Sequence, residues 1–412
     1  MGDEIIEVDI EALVYGGDGL GRLQDGRAVF IPFCLPGERV RARVLENKRG
    51  HVKAELLEML SASPTRIRPR CKHFGVCGGC HYQHIEYAEQ LEFKRQILVE
   101  QLQRIGGIAQ PPVEPVFSSP SPWNYRNTVQ LHLLRDGKLG FQKVGSHEVI
   151  PIEECHLPEA VLCELWKNLS IDPEANIRRV DLRAGENEDV LLVLESDEVY
   201  PEEFEADLPI SVVHLGPQGP FVLAGDDHVV FRVLGRNFRA SAGSFFQVNT
   251  RQAEAMVETL ITALHLSEAM TLLDVYCGVG LFSAFLAPRV RKCIGIEASP
   301  SACEDFAANL DSFENVDLFM GEAERVLPAL RQRAEVVVLD PPRAGLTVEV
   351  VDFLCETRPE QVAYISCDPA TLARDLKKLI AGGFSLRFVK PFDLFPQTYH
   401  LESVTLLVRG TN

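Results

Sequence analysis

Two residues near the end of the chain have the types and positions that covalent catalysis needs. Cys367 lies in the sequence Ser-Cys-Asp-Pro at 366–369, directly after the apolar run 362–365. Such a run predicts a strand, and active sites of open α/β sheets lie at the carboxyl ends of strands. A free cysteine is more often a small buried hydrophobic residue, but the aspartate and the proline that follow indicate an exposed turn. We therefore expect Cys367 to be a nucleophile, with Glu402 in the segment 400–403 as a nearby carboxylate.

A glycine-containing loop upstream has the form of a nucleotide-binding turn. The apolar run 272–275 predicts a buried strand, and Gly278 and Gly280 follow it before a predicted helix. Glycines let a ligand approach the backbone closely, and a helix N-terminus favours a negative group. Glu297 ends the next predicted strand, where an acid can hold ribose hydroxyls. The dinucleotide fingerprint needs a third Gly or Ala three residues after Gly280, and this chain has neither there, so S-adenosylmethionine fits better than NAD. A purely structural turn is the alternative.

A third predicted strand ends at Asp340, in the sequence Asp-Pro-Pro-Arg at 340–343. Prolines after a strand make a rigid loop, which would present Asp340 to a flat substrate. These parts match the chemistry of methylating carbon 5 of uracil. That reaction needs a thiolate that adds to carbon 6, a sulfonium methyl donor, and a base that removes the proton from carbon 5. Cys367 and Glu402 would supply the thiolate and the base.

A cysteine cluster nearer the N-terminus has the spacing of a metal site. Five residues separate Cys71 from Cys77, and two separate Cys77 from Cys80. A fourth ligand must come from elsewhere in the chain. Thiolates suit both tetrahedral zinc and an iron–sulfur cluster, so the spacing does not choose between them. Three histidines close by also keep zinc possible: His73, His81 and His84.

Length and composition indicate an ordinary globular protein. The chain has 412 residues, of which 46% are hydrophobic, so two or three domains are expected. The eleven cysteines are odd in number and no export signal is visible, so a disulfide framework is not expected. No apolar run is long enough to span a bilayer. We expect a cytoplasmic monomer that does not contact membranes.

The charge pattern leaves nucleic-acid binding open. The net charge of -18 argues against a protein that is basic all over. Affinity for nucleic acid depends on where cations cluster, however, and they cluster at 39–53 and again at 66–72. A solvated charged face is the alternative.

The pattern of predicted elements changes three times along the chain. Residues 1–60 show short strands and turns, typical of a small β-barrel of OB-like size. A helix is predicted at 87–105, and residues 118–240 are rich in strands. From 241 onward, continuous apolar runs alternate with helical stretches, which indicates a parallel sheet buried on both faces.

The C-terminal half resembles the RNA uridine-5-methyltransferase family. The matching stretches are 244–249, 274–280, 340–345, 366–369 and 399–403. The resemblance implies that Cys367 is the nucleophile and Glu402 the base. It also implies four contacts to S-adenosylmethionine: Gln247, Tyr276, Glu297 and Asp340. Two positions depart from the pattern, because Leu281 stands where some relatives have Asn, and a polar contact near the adenine is replaced at 322–323.

The N-terminal half resembles the iron–sulfur branch of the same family. That branch has the same cysteine spacing and a distant fourth cysteine, whose position Cys155 matches. The resemblance therefore implies a 4Fe-4S cluster held by Cys71, Cys77, Cys80 and Cys155. Residues 1–60 resemble a TRAM domain, a small RNA-binding barrel, on the segments 19–22, 29–32 and 35–38. The basic run 39–53 would then contact the RNA backbone.

Three modules are predicted from these observations together. They are a TRAM barrel at 1–60, a β-rich iron–sulfur central domain at 61–85 and 118–240, and a Rossmann-like class I methyltransferase domain at 86–117 and 241–412. The expected function is S-adenosylmethionine-dependent methylation of carbon 5 of a uridine in RNA. We expect 23S rRNA, because the iron–sulfur and TRAM elements accompany that branch, and leave tRNA open. The rivals are a cytosine-5 RNA methyltransferase and a non-catalytic iron–sulfur RNA-binding protein.

Overall fold

The N-terminal residues form a closed five-stranded barrel. The computed structural model of the protein describes residues 4–199, 209–330 and 333–410. The barrel strands are β1 Ile5–Leu13, β2 Asp18–Arg22, β3 Ala28–Pro32, β4 Arg39–Asn47 and β5 His51–Ser61. They close in the order β1-β2-β3-β5-β4. Alternate side chains point inward, among them Val8, Ile31 and Val40, and build a small core of their own. The predicted β-barrel is confirmed.

The barrel's basic strand lies between two acidic neighbours. In β4, Arg41 pairs with Glu7 of β1 and Glu58 of β5, and Arg43 pairs with Glu55 of β5. Two further cations of the run 39–53 are also paired, Arg39 with Glu7 and Lys48 with Glu46. The barrel therefore offers less free positive charge to RNA than the sequence of β4 alone indicates.

The middle of the chain forms a second, seven-stranded sheet. Its strands are β6 Thr128–Leu133, β7 Leu139–Gln142, β8 Val149–Pro151, β9 Ile177–Ala184, β10 Val190–Ser196, β11 Ser211–Gly216 and β12 Gly219–Ala224, in the order β12-β11-β10-β9-β6-β7-β8. Helix α2, Ala160–Asn168, packs on this sheet through Leu162 and Trp166. A separate hairpin follows, made of β13 His228–Val233 and β14 Arg236–Ser241.

The C-terminal residues form a third sheet that is buried on both faces. Its strands are β15 Thr271–Val275, β16 Lys292–Glu297, β17 Val316–Met320, β18 Val336–Leu339, β19 Gln361–Ser366, β20 Phe384–Phe392 and β21 Glu402–Arg409. Their order is β17-β16-β15-β18-β19-β21-β20, parallel except for β21 and β20. Leu272 packs into the core on one face and Leu273 into the core on the other. This is the expected Rossmann-like sheet.

Helices cover both faces of the third sheet. They are α3 Thr250–Ala263, α4 Leu281–Leu286, α5 Pro300–Asn309, α6 Ala323–Val326, α7 Val348–Thr357 and α8 Pro369–Ala381. Helix α1, Tyr87–Arg104, also lies here, because Leu98 and Leu102 join the same core as α8. No helix in the described ranges is long and apolar enough to cross a membrane. The limits of the three modules in sequence stay a prediction.

The barrel is joined to the third sheet by a small apolar core. Leu13 and Leu35 of the barrel pack against Tyr82, Ile85 and Ile97, with Tyr399 at the edge. Beneath this core, the buried Lys94 of α1 donates to Asp393 over 2.5 Å. An ion pair without solvent needs a fixed geometry to offset the loss of hydration. The segment that leads into β21 is therefore held firmly against α1.

Candidate active site

The register of two strands places Cys367 next to Glu402. Strands β19 and β21 are antiparallel, and their last pair is Ser366 opposite Ser403. One step further along this register, Cys367 stands across from Glu402, the first residue of β21. The side chains of both line one pocket. The backbone hydrogen bonds of the sheet therefore bring together two residues that are far apart in sequence.

The turn around Cys367 is fixed by its neighbours. Asp368 is the N-cap of α8, and one of its carboxylate oxygens accepts hydrogen bonds from the N–H groups of Ala370 (3.0 Å) and Thr371 (2.8 Å). Its second oxygen accepts a hydrogen bond of 2.8 Å from the hydroxyl of Tyr15, which lies in the barrel. No periodicity or motif links Tyr15 to this turn, so the sequence analysis missed it.

The environment of Cys367 favours the neutral thiol. Burial raises its pKa to about 12, and the carboxylates of Glu402 and Asp340 act in the same direction. The guanidinium of Arg343 opposes them. Arg343 belongs to the Asp-Pro-Pro-Arg sequence but was not among the predicted site residues. A cation beside a reactive thiol was the signal that could have identified it.

Glu402 is buried without a full set of partners. It is 4% exposed, and its Oε1 atom has no hydrogen-bond partner among the described residues. Burial raises its pKa well above the usual value, Asp340 raises it further, and Arg343 lowers it. An unpaired buried carboxyl is costly. It is also a strong base once ionised, so this position suits proton removal from a bound substrate.

The glycine loop adopts the strained backbone of a ligand-binding turn. Tyr276 has a φ of 65°, a left-handed conformation that non-glycine residues seldom adopt. Gly280 has a φ of 88°, and a Cβ atom there would lie 2.3 Å from Leu310 and 2.9 Å from Phe306. Only glycine fits at Gly280, so α4 can start close to the end of β15.

Glu297 is oriented by the backbone around it. One oxygen accepts from the N–H of Gly278 (2.9 Å), and the other accepts from Ala298 (2.8 Å) and Ser299 (2.7 Å). Carboxylate oxygens have further lone pairs for ligand hydroxyls. Nearby, burial raises the pKa of Asp340 to about 7, with Asp274 and Glu297 adding to the shift.

One pocket gathers every predicted catalytic and cofactor residue. Its volume is about 920 Å³, and it lies where the strand order reverses between β15 and β18. The predicted residues on its wall are Gln247, Tyr276, Glu297, Asp340, Cys367 and Glu402. Phe245, Phe395 and His400 also line it and were not predicted. Phe245 is 69% exposed, which is unusual for an aromatic side chain beside a pocket.

The loop that carries Gln247 is held by the second sheet. Asn127 donates from Nδ2 to the carbonyl oxygen of Gln247 over 2.9 Å. Arg183 of β9 donates to three carbonyl oxygens of the same loop, those of Ser241, Ala242 and Ser244. The second sheet therefore positions part of the pocket wall.

The four predicted metal cysteines line a different, smaller cavity. Its volume is about 190 Å³, and its wall includes Cys71, Cys77, Cys80 and Cys155. Burial raises the pKa of each of these thiols. No group of three or more His, Cys, Asp or Glu side chains in the described part of the chain is arranged to hold a metal ion. The structure thus brings the four cysteines to one cavity without forming a single-ion site.

The histidines of the cysteine segment fit a zinc site poorly. His73 lines the cavity, but its Nε2 accepts a hydrogen bond from the N–H of Glu153. His81 instead packs on Tyr399, with 4.6 Å between ring centres. His84 packs on Phe74 and is not part of the cavity wall. Burial lowers the pKa of His84 to about 3 and that of His81 to about 4.

Known proteins match both ends of the chain. Residues 225–410 match the family described as tRNA (Uracil-5-)-methyltransferase, and residues 3–57 match the TRAM domain. An uncharacterized RNA methyltransferase of Halalkalibacterium halodurans is 35% identical, over 98% of this chain and 97% of that protein. This chain belongs to the RNA uracil-5-methyltransferase family.

Two further matches extend over nearly all of this methyltransferase. An uncharacterized RNA methyltransferase of Aquifex aeolicus is 35% identical, over 99% of both chains. The crystal structure of Pyrococcus abyssi tRNA (uracil-54, C5)-methyltransferase, in complex with S-adenosyl-L-homocysteine, superposes with a TM-score of 0.76. It is 26% identical and covers 98% of this chain and 100% of its own. The predicted family, the TRAM barrel and the methyltransferase fold are confirmed. The roles of individual site residues stay predictions.

Proposed function

We propose that this enzyme transfers a methyl group from S-adenosylmethionine to carbon 5 of a uridine in RNA, with Cys367 as nucleophile and Glu402 as base. The observation that carries the proposal is the position of these two side chains across from each other in one pocket. The same pocket contains the glycine loop and Glu297. A nucleophile, a base and a nucleotide-binding turn are the parts that the reaction requires.

The proposed reaction begins when the thiolate of Cys367 adds to carbon 6 of the uracil ring. A carbon–sulfur bond forms, and the electrons of the ring double bond move to carbon 5 and its neighbouring carbonyl oxygen. Carbon 5 would then take up the methyl group of bound S-adenosylmethionine, whose bond from sulfur to that methyl group would break and leave S-adenosylhomocysteine. Glu402 removes the proton from carbon 5, and the electrons of that bond restore the double bond and expel the thiolate of Cys367.

The electrostatics of the pocket support this division of roles. Burial raises the pKa of Cys367 to about 12 and favours the neutral thiol, so the reaction requires this thiol to release its proton before it adds to the ring. Arg343 favours both the thiolate of Cys367 and the carboxylate of Glu402. The raised pKa of Glu402 makes its ionised form a stronger base than an exposed glutamate.

The residues around the glycine loop fit S-adenosylmethionine. Glu297 would hold the ribose hydroxyls, because its carboxylate is already oriented by three N–H groups. Tyr276, Gln247 and Asp340 would contact the rest of the molecule. The related Pyrococcus abyssi enzyme, which was crystallised with S-adenosyl-L-homocysteine, supports this assignment.

We also propose that Cys71, Cys77, Cys80 and Cys155 hold a 4Fe-4S cluster. The donor set fits, since four thiols and no competing carboxylate pair face one cavity of about 190 Å³. A single zinc ion would require four sulfur atoms only about 3.8 Å apart, because each Zn–S bond is about 2.3 Å. No such arrangement was found in the described ranges. The cluster would link the segment 71–80 to Cys155 and takes no part in the methyl transfer.

Two classes of RNA are candidate substrates. The resemblance of the cysteine spacing to the iron–sulfur branch favours 23S rRNA, whereas the barrel does not separate the two classes, because the superposed tRNA enzyme covers 98% of this chain. The likeness to a tRNA (uracil-54, C5)-methyltransferase favours tRNA. Mapping 5-methyluridine in both RNAs, from cells with and without this protein, distinguishes them. The substrate is the RNA whose 5-methyluridine disappears.

A trapped adduct tests the proposed chemistry. In RNA containing 5-fluorouridine, fluorine replaces the proton that Glu402 would remove, so the protein–RNA adduct cannot collapse. With S-adenosylmethionine, the wild-type protein should give a shifted band on a denaturing gel, and Cys367→Ala should give none. An unshifted wild-type band would favour a non-catalytic RNA-binding protein. A shifted band with Cys367→Ala would exclude Cys367 as the nucleophile.

A further inference from the structure

An exposed arginine lies over a half-buried tryptophan beside the cysteine cavity, and a second exposed arginine lies two residues earlier in the chain. The guanidinium carbon of Arg70 lies 5.3 Å from the centre of the Trp123 ring. Arg70 and Arg68 are both exposed, and neither forms an ion pair with an acid within the described ranges. We call Arg68, Arg70 and Trp123 the arginine–tryptophan patch.

This patch differs from the basic strand of the barrel in its free charge. The arginines of β4 donate to acids of the neighbouring strands, as Arg43 does to Glu55. Those acids neutralise the arginines and would repel a phosphate. In a protein with a net charge of -18, unpaired cations mark where a polyanion can approach. The patch therefore suits RNA better than the longer basic run does.

The chain segment that carries Trp123 also contacts a segment that lines the active-site pocket. The N–H of Trp123 donates to the hydroxyl of Ser121, and Trp123 packs edge-on against His156. Two residues further on, the buried Tyr125 donates from its hydroxyl to the carbonyl oxygen of Pro396 over 3.0 Å. Pro396 is the neighbour of Phe395, which lines the active-site pocket.

We propose that the arginine–tryptophan patch binds an unpaired nucleotide of the RNA that flanks the target uridine. The base would stack on the Arg70 guanidinium or the Trp123 ring, and Arg68 would contact a phosphate. Unpaired bases bind proteins by stacking on aromatic rings and guanidinium planes. The proposal rests on the proposed function, since that function makes RNA the substrate. Beyond that function, the proposal specifies the path of the RNA strand next to the target uridine.

Binding measurements with matched arginine variants test the patch. The protein carries Cys367→Ala so that no covalent adduct forms, and the probes are a uridine oligomer and an RNA duplex of equal length. Arg68→Gln, which removes the proposed phosphate contact, should reduce the salt dependence of oligomer binding by about 0.7 in the slope of log K against log salt. Arg70→Gln, which removes the stacked guanidinium, should weaken oligomer binding. Arg43→Gln, the paired arginine of the barrel, should change the slope and the affinity less than the patch variants do. Arg104→Gln, an ion-paired arginine on helix α1, is the control that should leave both unchanged.

Trp123→Leu separates stacking from charge. This variant should weaken oligomer binding by roughly 5- to 150-fold, because one stacked base contributes about 1–3 kcal/mol, with the salt slope unchanged. Duplex binding should change little. Because Arg70 precedes Cys71, the iron content and melting temperature of each variant are first compared with those of the wild type. If Arg70→Gln loses iron, only Arg68→Gln is used.

The outcomes distinguish this proposal from the proposed function. The proposed RNA contact at the patch is wrong if wild type, Arg68→Gln and Trp123→Leu bind the oligomer with equal affinity. It is also wrong if Arg43→Gln loses more affinity than the patch variants. A wild-type protein that forms no adduct with 5-fluorouridine RNA overturns the function. The patch is still judged by binding in that case.

Discussion

The active-site pocket and the cysteine cavity both collect side chains from distant parts of the chain, but by different means. Cys367 and Glu402 stand at the ends of two hydrogen-bonded strands. Cys71, Cys77, Cys80 and Cys155 lie on loops, around an open cavity of about 190 Å³. Strand pairing brings the first pair together, and the hydrogen bonds of Asp368 fix the turn at Cys367. The proposed cluster would tie these loops to one another through its four ligands.

This difference predicts which property each substitution changes. At the active site, the backbone already fixes the geometry, so removing a side chain should lower the rate and leave the fold intact. At the cysteine cavity, the proposed cluster would contribute directly to folding free energy. Removing one cysteine should therefore lower stability before it affects the chemistry of the pocket.

The largest expected effect is at Glu402. Glu402→Gln retains the shape but lacks the base, so turnover should fall by about 10²- to 10⁴-fold. The covalent adduct with ordinary uridine RNA should accumulate, because its carbon 5 proton stays in place. A denaturing gel measures the adduct, and thermal melting should match the wild type. An adduct-free variant with low turnover would contradict the base role.

A change at Cys80 should have its main effect on stability. Cys80→Ser removes one of four proposed cluster ligands, so iron content should fall to near background and the melting temperature by several degrees. S-adenosylmethionine binding, measured by calorimetry, should persist. The control is Cys163→Ser, since Cys163 hydrogen-bonds to the Cys155 carbonyl but does not line the cavity. Equal iron loss in both variants would contradict the assigned ligands.

Arg343→Gln should shift the pH dependence of adduct formation. Asp340, Glu402 and Asp368 raise the pKa of Cys367, and Arg343 is the group that lowers it. Without this cation the thiol pKa rises, so the rate at neutral pH falls and the rising limb of the profile moves to higher pH. Arg387→Gln, an exposed arginine on β20, should leave the profile in place. A shift to lower pH would contradict the stated electrostatics.

The smallest expected effect is at Tyr15. Tyr15→Phe removes only the hydroxyl that donates to Asp368, so the turn at Cys367 should be less fixed. Adduct formation with 5-fluorouridine RNA should slow by roughly 2- to 10-fold, as expected for one hydrogen bond. The affinity for RNA, measured with Cys367→Ala, should not change. The control is Tyr364→Phe, which removes a similar hydrogen bond to Asp375. Its effect on the rate of adduct formation shows how much of the slowing reflects lower stability alone.

Most of the third sheet was predictable from local sequence. Continuous apolar runs indicated β15, β16, β18 and β19, because strands buried on both faces exclude polar residues. The glycine loop was also predictable from the sequence. Its structural reason is that the φ of Gly280 and the closeness of Leu310 require a residue without Cβ. The sequence overstated the free charge of the basic run in the barrel. The acids that pair with its arginines, among them Glu7 and Glu55, lie on other strands. The net charge of the segment 39–53 alone does not include these acids.

The sequence by itself determined the chemistry that this protein can carry: a thiol, a carboxylate, a glycine loop and four spaced cysteines. Only the tertiary structure decided which of these groups meet. Glu402 faces Cys367 because β21 runs antiparallel beside β19, and Tyr15 reaches Asp368 because the barrel docks on Tyr82 and Tyr399. Side-chain types are local properties of the chain. Contacts between distant segments depend on sheet pairing and packing, which no short stretch of sequence specifies.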